Sequence, residues 1–118
     1  MSTNSLTVGV AYPALVGKVL TKRREGRGWD QAKMSQLVGL SRSTWSRIEN
    51  GESALTMDQL AKAAEVLGVA PHEILADADK AQELIVDGGL KVVPERNNAG
   101  LTLLAGAALA LLVANALK

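Results

Sequence analysis

Gly39, followed at once by Leu40 and Ser41, divides the stretch from Trp29 to Gly51 into two short helices with space for only a tight turn between them. Asp30 suits the N-cap of the first helix, which starts at Gln31 and keeps Met34, Leu37 and Val38 on its apolar side. A glycine at position 39 adopts the left-handed conformation that stops a helix, and Leu40 then turns inward as the hydrophobic contact of the turn. Ser41 caps the second helix.

That second helix has one wholly polar face. At 100° per residue, Arg42, Ser46, Asn50, Ser43 and Arg47 fall within an arc of about 140°, and Thr44, Ile48 and Trp45 occupy the opposite side. An ordinary solvated face mixes Glu and Lys. This one consists of Arg, Ser and Asn, groups that suit phosphates and base edges.

Gln31, Met34, Ser35, Gly39, Leu40, Ser41, Ile48, Glu49, Asn50 and Gly51 together form a pattern that resembles the Cro and phage-repressor class of helix-turn-helix, the Xre family. The likeness extends from about Leu15 to Leu75. VGKVLTKRREGRGW resembles the family's first helix, with Gly17, Leu20 and Arg24 in register, and LTMDQLAKAAEVLGVAPHEIL resembles its last two. Thr56 and Gln59 have capping-box spacing, Leu60, Ala63, Ala64 and Leu67 make a helical stripe, and Pro71 suits a first turn. Three positions depart from the pattern: Ser35 for a small Ala, Trp45 for a smaller aliphatic residue, and Arg23 where Leu is frequent.

The resemblance implies an all-α, five-helix domain that binds double-stranded DNA as a homodimer and regulates transcription, as a repressor at an operator. It implies that Arg42, Ser43, Ser46 and Arg47 read base edges from the major groove. Gln31, Ser41 and Asn50 would contact phosphates, with Lys33 a weaker member of the same set. Arg24 and Glu49 match the family's ion pair between the first helix and the end of the recognition helix.

The net charge of +1 gives little hint of a polyanionic partner until the chain is divided. Residues 1–50 carry eight basic against three acidic side chains, and residues 51–118 carry five against nine. The positive half coincides with the proposed DNA-contacting helices. With no cysteine, disulfides and thiolate metal sites are excluded, and the lone His72 has no second ligand nearby. No Ser-His-Asp set, phosphate-cradling Gly loop or carboxylate pair stands out, so neither enzyme chemistry, a cofactor nor a metal is expected.

The domain is expected to span residues 13–76, after a flexible start at 1–12 that lacks the features of a secretory signal. Residues 77–98 read as a linker, either a hairpin turning at Asp87 and Gly88 or an extension of the helix through Val86. Ala99 to Leu117 holds no charge and is apolar all round, so a single hydrophobic helix is expected there. Length and absence of charge favour a membrane anchor, placing a cytoplasmic protein at the cytoplasmic face. A helix buried between subunits is the alternative. Two other functional classes fit the same sequence: a membrane-linked scaffold that uses the helix-turn-helix as an adaptor, and an antitoxin-like regulator whose tail occupies a toxin.

Overall fold

The computed structural model describes residues 7–94, 101–103 and 106–117. Parts of the expected flexible start (residues 1–6), linker (95–98) and hydrophobic helix (99–100 and 104–105) lie outside the described residues. The order is β1 (Thr7–Ala11), α1 (Tyr12–Gly26), α2 (Gln31–Val38), α3 (Arg42–Glu49), α4 (Met57–Leu67), α5 (Pro71–Asp87), β2 (Lys91–Val93), β3 (Leu101–Leu103) and α6 (Gly106–Ala116). The protein is mainly helical, and α1 to α5 are the five helices expected from the sequence.

Local chemistry sets each boundary of the central pair. The Asp30 carboxylate accepts from the Lys33 amide at 2.8 Å and the Ser41 hydroxyl accepts from the Thr44 amide at 3.1 Å, so each helix has a side-chain N-cap. Gly39 sits at φ 85°, and its amide and that of Leu40 both donate to the Ser35 carbonyl at 2.9 Å. At that φ a Cβ is strained, which is why glycine stands there. The Thr56 capping box closes in both directions, at 3.1 and 2.8 Å.

The core runs through all the helices. Leu15, Val19 and Leu20 of α1, Met34 of α2, Trp45 and Ile48 of α3, Ala63 and Ala64 of α4 and Ile74 of α5 are buried together. Where α1 crosses α3, Gly17 presses its backbone onto the last turn of the recognition helix. A Cβ there would lie 2.7 Å from the Glu49 carbonyl oxygen and closer still to that of Ile48. Gly17→Ala is therefore expected to destabilise the fold by about 1–3 kcal/mol or more in urea melts, because the opposing atoms are backbone and cannot swing aside. Gly26→Ala, with nothing within 4 Å, is the control and should be neutral or gain up to about 1 kcal/mol.

Each family departure has a local explanation. Trp45 is fully buried and donates its indole N–H to Glu49. Ser35 is buried with its hydroxyl returned to the Ala32 carbonyl at 2.9 Å, which satisfies the polar atom an Ala would lack. Arg23 reaches across to α5 and pairs with Asp77 at 2.7 Å.

The two ends of the chain depart from the sequence expectation. Thr7–Ala11, read as flexible, is the central strand of a three-stranded parallel sheet ordered β2-β1-β3. Val10 pairs with Val92 and Val8 with Thr102, so the first strand is held between two strands from the far end of the chain. No local pattern marks such a pairing, which depends on partners more than eighty residues away. Helix α5 continues through the expected linker to Asp87 and stops at Gly88 and Gly89, and the chain then enters β2 instead of folding back as a hairpin. Tyr12, at the start of α1, donates its hydroxyl to Asp79 on this extension at 2.7 Å. Burial, and then the adjacent Asp79 carboxylate, push the phenol well above its usual range.

The expected single hydrophobic helix over 99–117 and its membrane role are corrected by the structure. Leu101–Leu103 is strand and α6 has 11 residues, about 16 Å of helix against a bilayer core of about 30 Å. Among the described residues no helix is long and apolar enough to cross a membrane. Helix α6 lies on α1 and α5 with Leu109 and Val113 buried in the common core. An uncharged apolar run fits a buried helix and a buried strand as readily as a lipid-facing span, and periodicity does not separate them.

Candidate nucleic-acid interface

Helix α3 buries Trp45, Ile48 and Glu49 and turns the rest outward. Arg42, Ser43, Arg47 and Asn50 are exposed along it and Ser46 is half-buried, so the four expected base readers share one accessible side. Asn50 follows the last turn, with its amide donating to the Ser46 carbonyl at 3.0 Å. Lys33 stands exposed on the neighbouring α2.

Ser41 is already engaged as a cap. Its hydroxyl also donates to Thr44 Oγ1 at 2.8 Å and lies 3.3 Å from Ser43 Oγ. Thr44 Oγ1 in turn is 3.5 Å from Nη2 of Arg47, at the long end of hydrogen-bonding distance. Thr44 is a residue that the helical wheel misplaces: its position falls on the inward arc, but it is only half-buried and its short side chain reaches back along α3 to the cap.

Behind the exposed face, Glu49 gathers three helices. Its carboxylate accepts from Nε and Nη2 of Arg24 at 2.7 and 3.1 Å, from Nε2 of Gln31 at 2.9 Å, and from the Trp45 indole. Arg24 also donates to the Trp29 carbonyl at 2.6 Å, so α1, α2, α3 and the α1–α2 turn converge on one buried ion pair. Burial alone would push the Glu49 carboxyl up, but the hydrogen bonds from Arg24 and Gln31, the Arg24 charge and the indole together hold it below the usual carboxylate range. The bond to Glu49 holds Arg24 in its charged form against burial. The Trp45 contribution was missed in the sequence, although Trp45 and Glu49 stand at i and i+4, the spacing that brings two side chains together on a helix.

Gln31 thus has two hydrogens on its amide nitrogen, one given to Glu49 and one left for an acceptor outside. Its place at the first turn of α2 adds the unpaired amides of a helix start. Nearby, Arg27 stacks 4.8 Å above the Trp29 ring and donates to the Leu67 carbonyl at the end of α4, a use of its charge that is structural. His72 is exposed on α5, and among the described residues no cluster of three or more His, Asp or Glu side chains is placed to hold a metal ion.

The family described as helix-turn-helix domain matches residues 15–76, more than half of the chain. The chain belongs to the helix-turn-helix family. Its arrangement is the Cro and phage-repressor, Xre-type one that the Gln31 to Gly51 pattern resembles.

The protein TK0539 of Thermococcus kodakarensis, whose name describes it as an HTH-type transcriptional regulatory protein, is 30% identical over 87 residues. That alignment covers 74% of this chain and 26% of the relative, so the chain spans about a quarter of the length of the protein it matches. Among solved structures, the restriction-modification controller protein C.AhdI from Aeromonas hydrophila is 27% identical with a TM-score of 0.51, over 52% of this chain and 94% of that one. The clp gene regulator ClgR from Corynebacterium glutamicum shares the fold, with a TM-score of 0.63 at 19% identity over 65% and 82% of the two chains. The helix-turn-helix unit accounts for α1 to α4 and the start of α5; β1, the rest of α5, β2, β3 and α6 lie outside its match.

Proposed function

We propose that this helix-turn-helix protein binds specific double-stranded DNA and regulates transcription, acting as a repressor that occupies an operator of two half-sites as a homodimer. The observation that carries this reading is the exposed Arg42, Ser43, Ser46 and Arg47 side of α3, backed by a fully buried Trp45, Ile48 and Glu49. A helix so anchored presents its polar side to the major groove as a rigid edge. Arginines there offer paired donors to guanine, and the serines make less selective contacts. Gln31, Lys33, Ser41 and Asn50 fix the register on the phosphates, Gln31 with the amide hydrogen that Glu49 leaves free. The names of the relatives, a clp gene regulator and a restriction-modification controller, accord with this class of activity.

The test is a binding titration on the protein's own upstream region, against random duplex, at several salt concentrations. Arg42→Ala and Arg47→Ala are each expected to reduce discrimination by about 1–3 kcal/mol if the contact is bidentate to guanine. Gln31→Ala should weaken both duplexes evenly, and Lys33→Ala should also lower the salt slope by about one. Equal losses on specific and random DNA for both arginines would remove them from base reading.

A further inference from the structure

A row of hydroxyls runs from the cap of α3 to Arg47. Ser41, Thr44 and Arg47 stand three residues apart, the spacing that brings side chains on successive turns together. The Ser41 hydroxyl accepts from the Thr44 amide at 3.1 Å and donates to Thr44 Oγ1 at 2.8 Å. With that hydrogen spent, the Ser43 hydroxyl is the donor across the 3.3 Å to Ser41. Thr44 Oγ1 in turn meets Nη2 of Arg47 at 3.5 Å. A helical threonine can return its hydroxyl to the carbonyl four residues back, as Thr21 does to Gly17 at 2.9 Å. For Thr44 the residue four back is Leu40, which lies in the turn ahead of the Ser41 cap, and its hydroxyl bonds are to side chains instead.

We infer that Thr44 is a positioning residue for base reading: its hydroxyl oxygen, fixed by Ser41, steers the Arg47 guanidinium before DNA arrives. This rests on the proposed assignment of Arg47 to a base edge. A long side chain on a helix leans toward the N-terminus, which carries Arg47 back over the turn that holds Thr44. A guanidinium has N–H groups to spare, so the one given to Thr44 leaves paired donation to guanine intact. Buried Trp45 and Ile48 hold the helix beneath the row, and the half-buried Thr44 is therefore a fixed point for the exposed Arg47. Arg42 takes part in no side-chain hydrogen bond or ion pair among the described residues. The two arginines therefore differ: Arg47 meets the groove partly ordered, and Arg42 is ordered by the DNA. At 3.5 Å the contact guides the guanidinium without locking it, so the effect on discrimination is a modest one.

The experiment compares Thr44→Val, which keeps the shape and removes the hydroxyl, with Thr44→Ser, which keeps the hydroxyl. Each is titrated as the full chain with the upstream region and with random duplex, alone and combined with Arg47→Ala. Thr44→Val is expected to lower the ratio of specific to random affinity by about two- to tenfold, the factor associated with ordering one long side chain on binding. Thr44→Ser should retain the parent ratio, and Thr44→Val should change nothing further once Arg47 is Ala. In the free protein, NMR relaxation at the Arg47 Nε–H should show greater mobility in Thr44→Val, with the Arg42 Nε–H unaffected. A weakened cap would lower affinity for both duplexes and leave their ratio alone, so that result overturns the inference. An unchanged ratio and unchanged Arg47 mobility in Thr44→Val, beside a loss of discrimination in Arg47→Ala, overturn it too and leave base reading standing. If Arg47→Ala itself keeps full discrimination, the base reading has failed, and the role of Thr44 in it falls with that result.

Discussion

Glu49→Ala is expected to lower unfolding free energy by about 3–5 kcal/mol, against less than about 1 kcal/mol for the exposed Glu52→Ala, because it leaves Arg24 buried without its partner and frees Gln31 and Trp45. Chemical denaturation of the two variants checks this, and coincident curves would contradict it. The same carboxylate sets a pH dependence. Its pKa in the folded state is depressed below the unfolded value of about 4.3, so its contribution is complete above that value and is lost as pH falls through the folded pKa. Glu49→Gln cannot bind that proton, so the gap between it and the parent protein should be widest near neutrality and narrow in acid, in melts recorded from pH 7 down to pH 3. A gap that stays constant would assign the stabilisation to packing instead of charge.

Since Glu49 also holds Gln31, the two links from stability to function are one structure. Loss of the carboxylate frees the amide proposed to meet a phosphate, and it loosens the last turn of α3 against Gly17. DNA affinity of the Glu49 variant should therefore fall even at temperatures where it remains folded.

The central unit was readable because its signals are local. Asp30, Gly39, Ser41, Thr56 and Gln59 act on residues within four positions of themselves, and each sits at a helix end in the structure. The exposed polar side of α3 follows from a 100° rotation alone. Thr44 shows where that rule stops, since side-chain length and direction decide whether a boundary position is inside. Trp45 was legible as core, but its bond to Glu49 required knowing that the carboxylate itself is buried. The chain ends were poorly legible for the opposite reason. Pairing of β1 with β2 and β3 joins residues from the two extremes of the chain, and a three-residue strand carries no period to detect. On β2, exposed Lys91 and the following Pro94 are the kind of residues that blunt an open sheet edge, a sign that reads clearly only once the edge is known.

The packing of α6 predicts a contrast that a membrane anchor would not give. Leu109 is 2% exposed and Leu111 is 70% exposed on the same helix, two residues apart. Leu109→Ala removes buried methyl groups from the core shared with α1 and α5, and is expected to cost about 2–5 kcal/mol in thermal or urea unfolding. Leu111→Ala removes nothing that folding buries and should fall within about 0.5 kcal/mol of the parent. For a lipid-facing helix both leucines would contribute to partitioning and neither to the melting of the DNA-binding unit. Truncation after Arg96 would accordingly destabilise the protein, because it removes β3 from the side of β1 and uncovers the α1 and α5 surfaces on which α6 lies. The comparison is best read together with vesicle sedimentation of the full chain: a large loss for Leu109→Ala, none for Leu111→Ala and no pelleting follow from a docked helix. Equal melting of the two variants with protein recovered in the lipid pellet would return the segment to the bilayer.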